Sequence, residues 1–382
     1  NRPPESRQMS AAHIDIPDTL PVPDQDTLST QEAFGRIMYD LAGSRTDLAD
    51  RIVTTSPDVT QSTNLGGWVN RRGIFARDEK ADVFRAEQVP SAQKWEFTDA
   101  GQHLELGIAE NNLFILLGAL GLSHHHFGKR LFPVGTIYDP FIARGLDALN
   151  YACYQDARFM VVATPSGITL APEGGAHQSV STPLIGIGQP GLASFEPAYA
   201  DELATIMRWG FDYMQADNGG AVYLRLSTRP LAQPDSTMEE KSNGGVIAGA
   251  YWRARPSTPD AGSIIYMGAV APEAEAAHAK LAGGGYAPGL LAVTSPDRLY
   301  EDWRKCGPDS HIASLLEILT PGAPLVTVLD GHPATLSWMA GVHGHRNRPL
   351  GVDRFGQCGD LPSLYDEYGL DADSICAAFR EA

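Results

Sequence analysis

The chain has 382 residues, 43% of them hydrophobic and 20% charged, and a net charge of −17. That length exceeds one ordinary core and suggests two domains. The charge sets aside a broad nucleic-acid or anionic-membrane surface, where the electrostatic term would be repulsive, and no apolar run reaches the roughly 18 residues of a membrane span.

Residues 1–27 are rich in Pro, Asp and Ser and read as an extended arm rather than a core element. From Ser29 the pattern changes: Ala33, Phe34, Ile37, Met38 and Leu41 recur at helical spacing behind an N-cap at Ser29 or Thr30. Residues 51–55 form a β-branched run that ends at Ser56-Pro57-Asp58, so polar groups sit at the carboxyl end of a buried strand, where open α/β sheets bind ligands. Residues 66–100 are aromatic and charged with weak periodicity and read as a long irregular excursion. Then follow a helix opened by Glu110, a strand at 130–135, a helix over 140–154, a strand at 159–164, a Gly-rich loop at 171–179, a helix over 197–214 and a strand at 221–226. This alternation predicts a mostly parallel sheet with helices on both faces.

Between residues 227 and 249 the composition turns to Pro, Ser, Asn, Gly and charged residues, the mark of a linker. Beyond it the alternation repeats on a smaller scale, with strands at 263–268, 290–293 and 325–329 and an Ala-rich helix over 272–283. The expected fold class is α/β with two doubly wound sheets, divided into an arm at 1–27, a larger domain at 28–235 and a smaller one at 245–382. The four cysteines lie far apart with no CxxC pair, which argues against a zinc site or a disulfide framework and fits a reducing cytoplasm. The chain opens on Asn1 with no signal-peptide pattern, which reads as a processed or truncated chain.

Glu110 precedes the apolar segment 113–122. A carboxylate at the mouth of a hydrophobic helix sits at a core edge where its proton affinity can be tuned; it can equally well complement a helix N-terminus. His177, four residues after Glu173 in the Gly-rich loop, can exchange a proton near neutral pH, although a lone loop histidine is usually just solvated. His124, His125 and His126 fit a metal site poorly, since neighbouring side chains diverge, and read better as a polar turn. Dinucleotide-binding, P-loop and nucleophile-elbow patterns are absent.

Gly107-Ile108-Ala109-Glu110 resembles the "G-I/V-x-E" that carries the catalytic glutamate in the pyrimidine-binding domain of transketolase-superfamily thiamine-diphosphate enzymes. Ser56-Pro57-Asp58-Val59-Thr60-Gln61-Ser62-Thr63-Asn64-Leu65 is similar to "S-A-D-L-x-x-S-N-L" of that superfamily. Glu173-Gly174-Gly175-Ala176-His177-Gln178 is similar to "D-G-P-T-H-Q", and Gly351-Val352-Asp353-Arg354-Phe355-Gly356-Gln357-Cys358-Gly359 to "G-x-D-x-F-G-x-S-G". The four motifs occur in order and the resemblance spans about residues 28 to 382. Pro197-Ala198-Tyr199-Ala200-Asp201-Glu202-Leu203-Ala204-Thr205-Ile206-Met207 and Gln155-Asp156-Ala157-Arg158 look like tracts of the homodimeric pyruvate dehydrogenase first component. The arginines with which transketolases hold a sugar phosphate are missing, and Glu196 stands where one is expected.

The resemblance implies a pyrimidine-binding domain followed by a transketolase C-terminal-type domain. It implies thiamine diphosphate as cofactor, with Mg2+ held by an N-terminal domain whose "G-D-G…N-N" pattern this sequence lacks, so no metal ligand is expected here. Glu110 would hydrogen-bond the cofactor's aminopyrimidine and favour its imino form. His177 would orient or protonate the substrate oxygen, Asp58 and Val59 would line the cofactor, Tyr138 or Phe141 would stack on the pyrimidine, and Ile108 would be the apolar wedge beneath it or simply core. The implied reaction is oxidative decarboxylation of a pyruvate-like 2-oxoacid with acyl transfer to a lipoyl group. The implied partners are a lipoylated acyltransferase component, a diphosphate-binding domain or subunit, and a second copy in a homodimer. A transketolase acting on sugar phosphates and a non-catalytic assembly subunit are the alternatives.

Overall fold

The computed structural model describes residues 11–78, 87, 94–234, 243–284 and 287–382; the middle of the 66–100 excursion, the centre of the 227–249 linker and residues 1–10 lie outside them. Short runs of Val, Ile, Leu and Ala buried on both sides favour parallel pairing under helices, and two sheets result. The larger has eight strands: β2 (Ile52–Ser56), β3 (Ile74–Phe75), β4 (Phe97–Thr98), β5 (His103–Glu105), β6 (Phe132–Ile137), β7 (Met160–Ala163), β8 (Leu192–Phe195) and β9 (Ala221–Arg225). They lie in the order β4-β3-β5-β2-β6-β7-β9-β8 and every pair is parallel.

The smaller sheet has five strands, β11 (Ala250–Ala254), β12 (Ser263–Met267), β13 (Gly289–Val293), β14 (Pro324–Leu329) and β15 (Arg346–Leu350), in the order β11-β13-β12-β14-β15. All its pairs are parallel except β11 with β13. The α/β class with two sheets is as the sequence predicts. One apolar cluster runs through both units, from Phe34, Val162 and Met207 to Tyr266 and Val328. Among the described residues no helix is long and apolar enough to cross a membrane.

Local signals explain most of the elements. The first helix, Thr30–Gly43, starts where Ser29 accepts the Glu32 amide at 3.1 Å. Three expectations change. The excursion contains a helix, Gly66–Arg72, drawn in because Trp68 and Val69 bury completely. The helix expected over 140–154 opens as a 3-10 turn, Asp139–Gly145, and becomes α-helical only at Leu146–Tyr154. The arm is extended yet belongs to the core: Ile14, Leu20 and Leu28 bury, the Gln215 side chain brackets both backbone groups of Ile14, and β1 (Thr27–Leu28) pairs antiparallel with β10 (Leu231–Ala232).

The two units also meet along β8, which ends the larger sheet's order. The Ser194 amide donates to Asp297 at 3.0 Å, the Ser194 carbonyl accepts from the Ser295 hydroxyl at 2.6 Å, and the Glu196 amide donates to the Thr294 carbonyl at 2.8 Å. Residues 294–297 thus satisfy the outward backbone groups of an edge strand. Burial pushes the Asp297 carboxyl up to about 6, against the hydrogen bonds it accepts from Ser295, Ser194 and Arg298.

Candidate active site

Four adjacent strands, β5, β2, β6 and β7, send their carboxyl ends to one edge of the larger sheet. The side chains singled out from sequence all leave from loops at that edge: Asp58 and Val59 after β2, Ile108 and Glu110 after β5, Tyr138 and Phe141 after β6, His177 beyond β7. With β5 on one side of β2 and β6 on the other, the chain changes its direction of travel across the sheet here, the place where such sheets leave a crevice.

Glu110 is the first residue of the helix Glu110–Gly121, whose N-cap, Ala109, makes no side-chain capping bond. The residue is only 8% exposed, and its Oε1 accepts from Nη1 of Arg144. Gly107 takes a φ of +65° with open space where a Cβ would project, so it serves the turn and not a close approach. That turn throws Ile108 outward to 80% exposure, which sets aside its reading as core.

Phe141 is the hub of the aromatic group. Tyr138 stacks parallel to it with centroids 5.8 Å apart and planes 8° from parallel, His177 meets it edge-on at 5.5 Å, and the Arg144 guanidinium lies 3.9 Å from its centroid. Both aromatic candidates are therefore in the cluster. Through Phe141 and Arg144, four predicted residues form one continuous group: Glu110, Tyr138, Phe141 and His177.

Asp58 and Val59 are held from another side. Asp58 sits at a φ of +64°, an unusual conformation for a residue with a side chain, and its amide donates to Glu105 Oε1 at 2.9 Å. Glu105 Oε2 accepts from Thr60 at 2.7 Å and lies 3.4 Å from Nε2 of the wholly buried His103, whose Nδ1 is 2.9 Å from the Thr54 hydroxyl. Burial alone would raise the Glu105 carboxyl, but hydrogen bonds from His103, Thr60 and the Asp58 amide, with the charge of His103, outweigh it and hold the group down to about 2. Glu105 thus pins the loop after β2 to the loop before Glu110.

Beneath the cluster lies a buried ionic network. Asp139, next to Tyr138, accepts from Arg225 Nε at 2.9 Å, from Thr182 at 2.6 Å, and from Ser179 and Tyr223. Arg225 also donates to Glu196 Oε1 at 2.8 Å and to the Ser179 hydroxyl at 3.2 Å. From the smaller unit, Asp330 accepts the Ile168 amide at 2.9 Å. The network anchors the turn carrying Tyr138 and Phe141 and the loop carrying His177 to the same arginine.

Burial pushes the Glu196 carboxyl up to about 7, opposed by Arg225 and assisted by the nearby charges of Asp330 and Asp139. At the position where the resemblance expects a phosphate-binding arginine, Glu196 is 6% exposed and bound to Arg225, so it serves the interior. Two resemblance tracts are architectural in the same way. Glu202 accepts the amides of Ala198 and Tyr199 and the Tyr251 hydroxyl of β11, and Arg158 is buried against Asp156 and the Ala216 carbonyl.

The three histidines form a short helix, Ser123–Phe127, rather than a turn. His124 Nδ1 donates to the Gly121 carbonyl at 3.0 Å, and the ring is held down to about 4 by burial, then by the charges of Arg130, His125 and Arg158. The described contacts do not bring it to Glu110. Arg144, Glu105, Asp139 and Arg225 escaped the sequence reading. Only Arg225 carried a signal, as a charge ending an otherwise apolar strand that must find a partner.

Comparison with known proteins adds lineage to this geometry. Residues 23–229 match the family model described as the pyruvate dehydrogenase E1 component middle domain. The chain is similar to the pyruvate dehydrogenase E1 component of Mycolicibacterium smegmatis, 26% identical over 374 residues, covering 92% of this chain and 39% of that protein. It spans about two fifths of the length of such curated relatives. Among solved structures, transketolase from Leishmania mexicana superposes with a TM-score of 0.73 at 19% identity, covering 96% of this chain and 48% of that one. A chain described as "split gene transketolase, inactive beta4 tetramer" gives a TM-score of 0.63 at 19% identity and covers 93% of this chain and 98% of its own.

Proposed function

Since the chain belongs to the pyruvate dehydrogenase E1 component middle-domain family, within the thiamine-diphosphate-dependent transketolase superfamily, we propose that it is the pyrimidine-binding and C-terminal portion of a 2-oxoacid dehydrogenase first component. The observation that carries this reading is the juxtaposition of a nearly buried carboxylate, Glu110, with the Tyr138–Phe141 aromatic pair at the mouth of the parallel sheet. A flat aminopyrimidine needs such a plane to stack on and such a carboxylate at its ring nitrogen, so the residues present fit that half of the cofactor.

When bound, the cofactor would supply a nucleophilic carbon and an electron sink for chemistry at a keto carbon. The chain's own residues do the rest. Glu110 would hold and share a proton at the pyrimidine ring nitrogen, Phe141 and Tyr138 would orient the ring, and Ile108, projecting from the Gly107 turn, would offer it an apolar support. Asp58 and Val59 close the adjoining wall, fixed there through Glu105. His177, braced on Phe141, holds or gives a proton at the substrate oxygen. On this reading the diphosphate and Mg2+ are bound by a separate domain or subunit, the acyl group passes to a lipoylated acyltransferase component, and the enzyme works as a cytoplasmic homodimer.

The test is a choice of substrate in the assembled enzyme. Carbon dioxide release from pyruvate coupled to a lipoylated acceptor is expected, with ketol transfer from xylulose 5-phosphate slower. The reverse order would make it a transketolase. The 382-residue chain alone is expected not to bind thiamine diphosphate tightly; magnesium-dependent, sub-micromolar binding in a calorimeter would contradict the division of labour.

A further inference from the structure

The carboxylate on which that function rests already has a partner. Arg144 leaves the 3-10 turn Asp139–Gly145, donates to Glu110 Oε1, and lays its guanidinium over Phe141 at 3.9 Å. Tyr138 and His177 contact the same ring. The guanidinium is planar, delocalised and edged with N–H donors, and it engages a carboxylate and an aromatic face at once. An aminopyrimidine has the same outline: a flat π-system with donors in its plane. It needs these same two surfaces.

Both groups cannot hold them together. The Glu110 oxygen that accepts from Arg144 is the same surface a ring nitrogen would have to reach. The Arg144 side chain is 53% exposed, whereas that of Glu110 is 10% exposed, so the arginine is the partner with room to leave. The arginine's end of the pair is open to water and screened by salt, which eases its exchange.

We propose that Arg144 is a displaceable occupant of the pyrimidine seat and thereby sets the affinity of this chain for its cofactor. The pyrimidine gains Glu110 and Phe141 only as the guanidinium swings to solvent, and the apparent affinity is reduced by the fraction of molecules in which Arg144 holds the seat. This inference rests on the reading of Glu110 and Phe141 as pyrimidine contacts.

The experiment is calorimetric titration of thiamine diphosphate with Mg2+ into the assembled protein, comparing wild type with R144Q, E110Q and the double variant. R144Q is expected to bind about tenfold tighter, the gain from removing a competitor that holds the seat about nine-tenths of the time. The gain should shrink in the E110Q background, where Arg144 has lost its carboxylate. Melting temperatures within a few degrees of wild type would establish that the exposed substitution leaves the fold intact. Weaker, unchanged or absent binding by R144Q overturns the inference, because Arg144 would then be a cofactor ligand or a bystander. The reading beneath it fails on a different result, an E110Q protein that binds and turns over like wild type. E110Q impaired with R144Q unchanged removes only the present proposal.

Discussion

Arg144 and Arg225 each pair with a glutamate near the carboxyl edge of the larger sheet, one half exposed over Glu110, the other sealed between Asp139 and Glu196. Around Arg225 the Asp139 carboxylate also accepts from Ser179, Thr182 and Tyr223, and the arginine side chain is 2% exposed. Such a cluster is hard to disturb, because removing one member strands the others in a medium that cannot solvate them. Around Arg144 water is at hand. The interior cluster therefore fixes where the loops stand, and the exposed pair can exchange partners while they stand there.

This contrast can be broken at several points. Glu110→Gln in the assembled enzyme should lower turnover by roughly two to four powers of ten, the range for losing a positioned acid–base group, while shifting stability by no more than about 1 kcal/mol. Near-normal turnover would leave Glu110 a structural residue like Glu196. Arg225→Gln should cost about 3–5 kcal/mol in a denaturant titration, since it leaves Asp139 and Glu196 buried without their cation. A loss under about 1 kcal/mol would erase the distinction between the two arginines.

The pH dependence separates the regions by sign. Glu196 is raised in the folded state from 4.5 to about 7, so the native protein binds its proton more tightly than the unfolded chain does. Its contribution is fully present below about pH 4.5 and is lost as pH rises through 7, a swing of about 3 kcal/mol that Glu196→Gln should abolish. Glu105 is depressed to about 2, so its contribution is present above pH 4.5 and lost as pH falls toward 2. Partial exposure limits that swing to about 1 kcal/mol, and Glu105→Gln should remove it. Melting temperatures against pH for the two variants check both slopes, and parallel curves would refute the assignment. The smallest effect is on the folding stability of Arg144→Gln, within about 1 kcal/mol of wild type by thermal melting.

The sequence made the alternation of strands and helices legible, because parallel strands buried on both faces are unbroken apolar runs. It also singled out Glu110 through a short motif that follows a strand end, and left Tyr138 and Phe141 as alternatives that the turn after β6 brings together. What it hid is instructive. β15, Arg346-Asn347-Arg348-Pro349-Leu350, is an edge strand whose polar residues and proline carry no strand pattern. β8 is four residues long. Ile108 could be read as an apolar wedge or as core, and only the left-handed Gly107 turn, which no periodicity encodes, decides that it points into solvent. Glu196 stands where the resemblance expects a phosphate-binding arginine, and only the partner supplied from β9, 29 residues on, explains its burial. Arg144 meets Glu110 across 34 residues, a pairing that no local spacing encodes.

The seam along β8 carries a consequence for anyone who divides this chain. Residues 294–297 of the smaller unit are what meet the Ser194 and Glu196 amides and the Ser194 carbonyl. A fragment ending near residue 235 would bare Leu192-Ala193-Ser194-Phe195 as an open strand edge, a template that recruits strands from other molecules. Its failure in solution would then include self-association, growing with concentration, beside the loss of the core contacts that the smaller unit supplies.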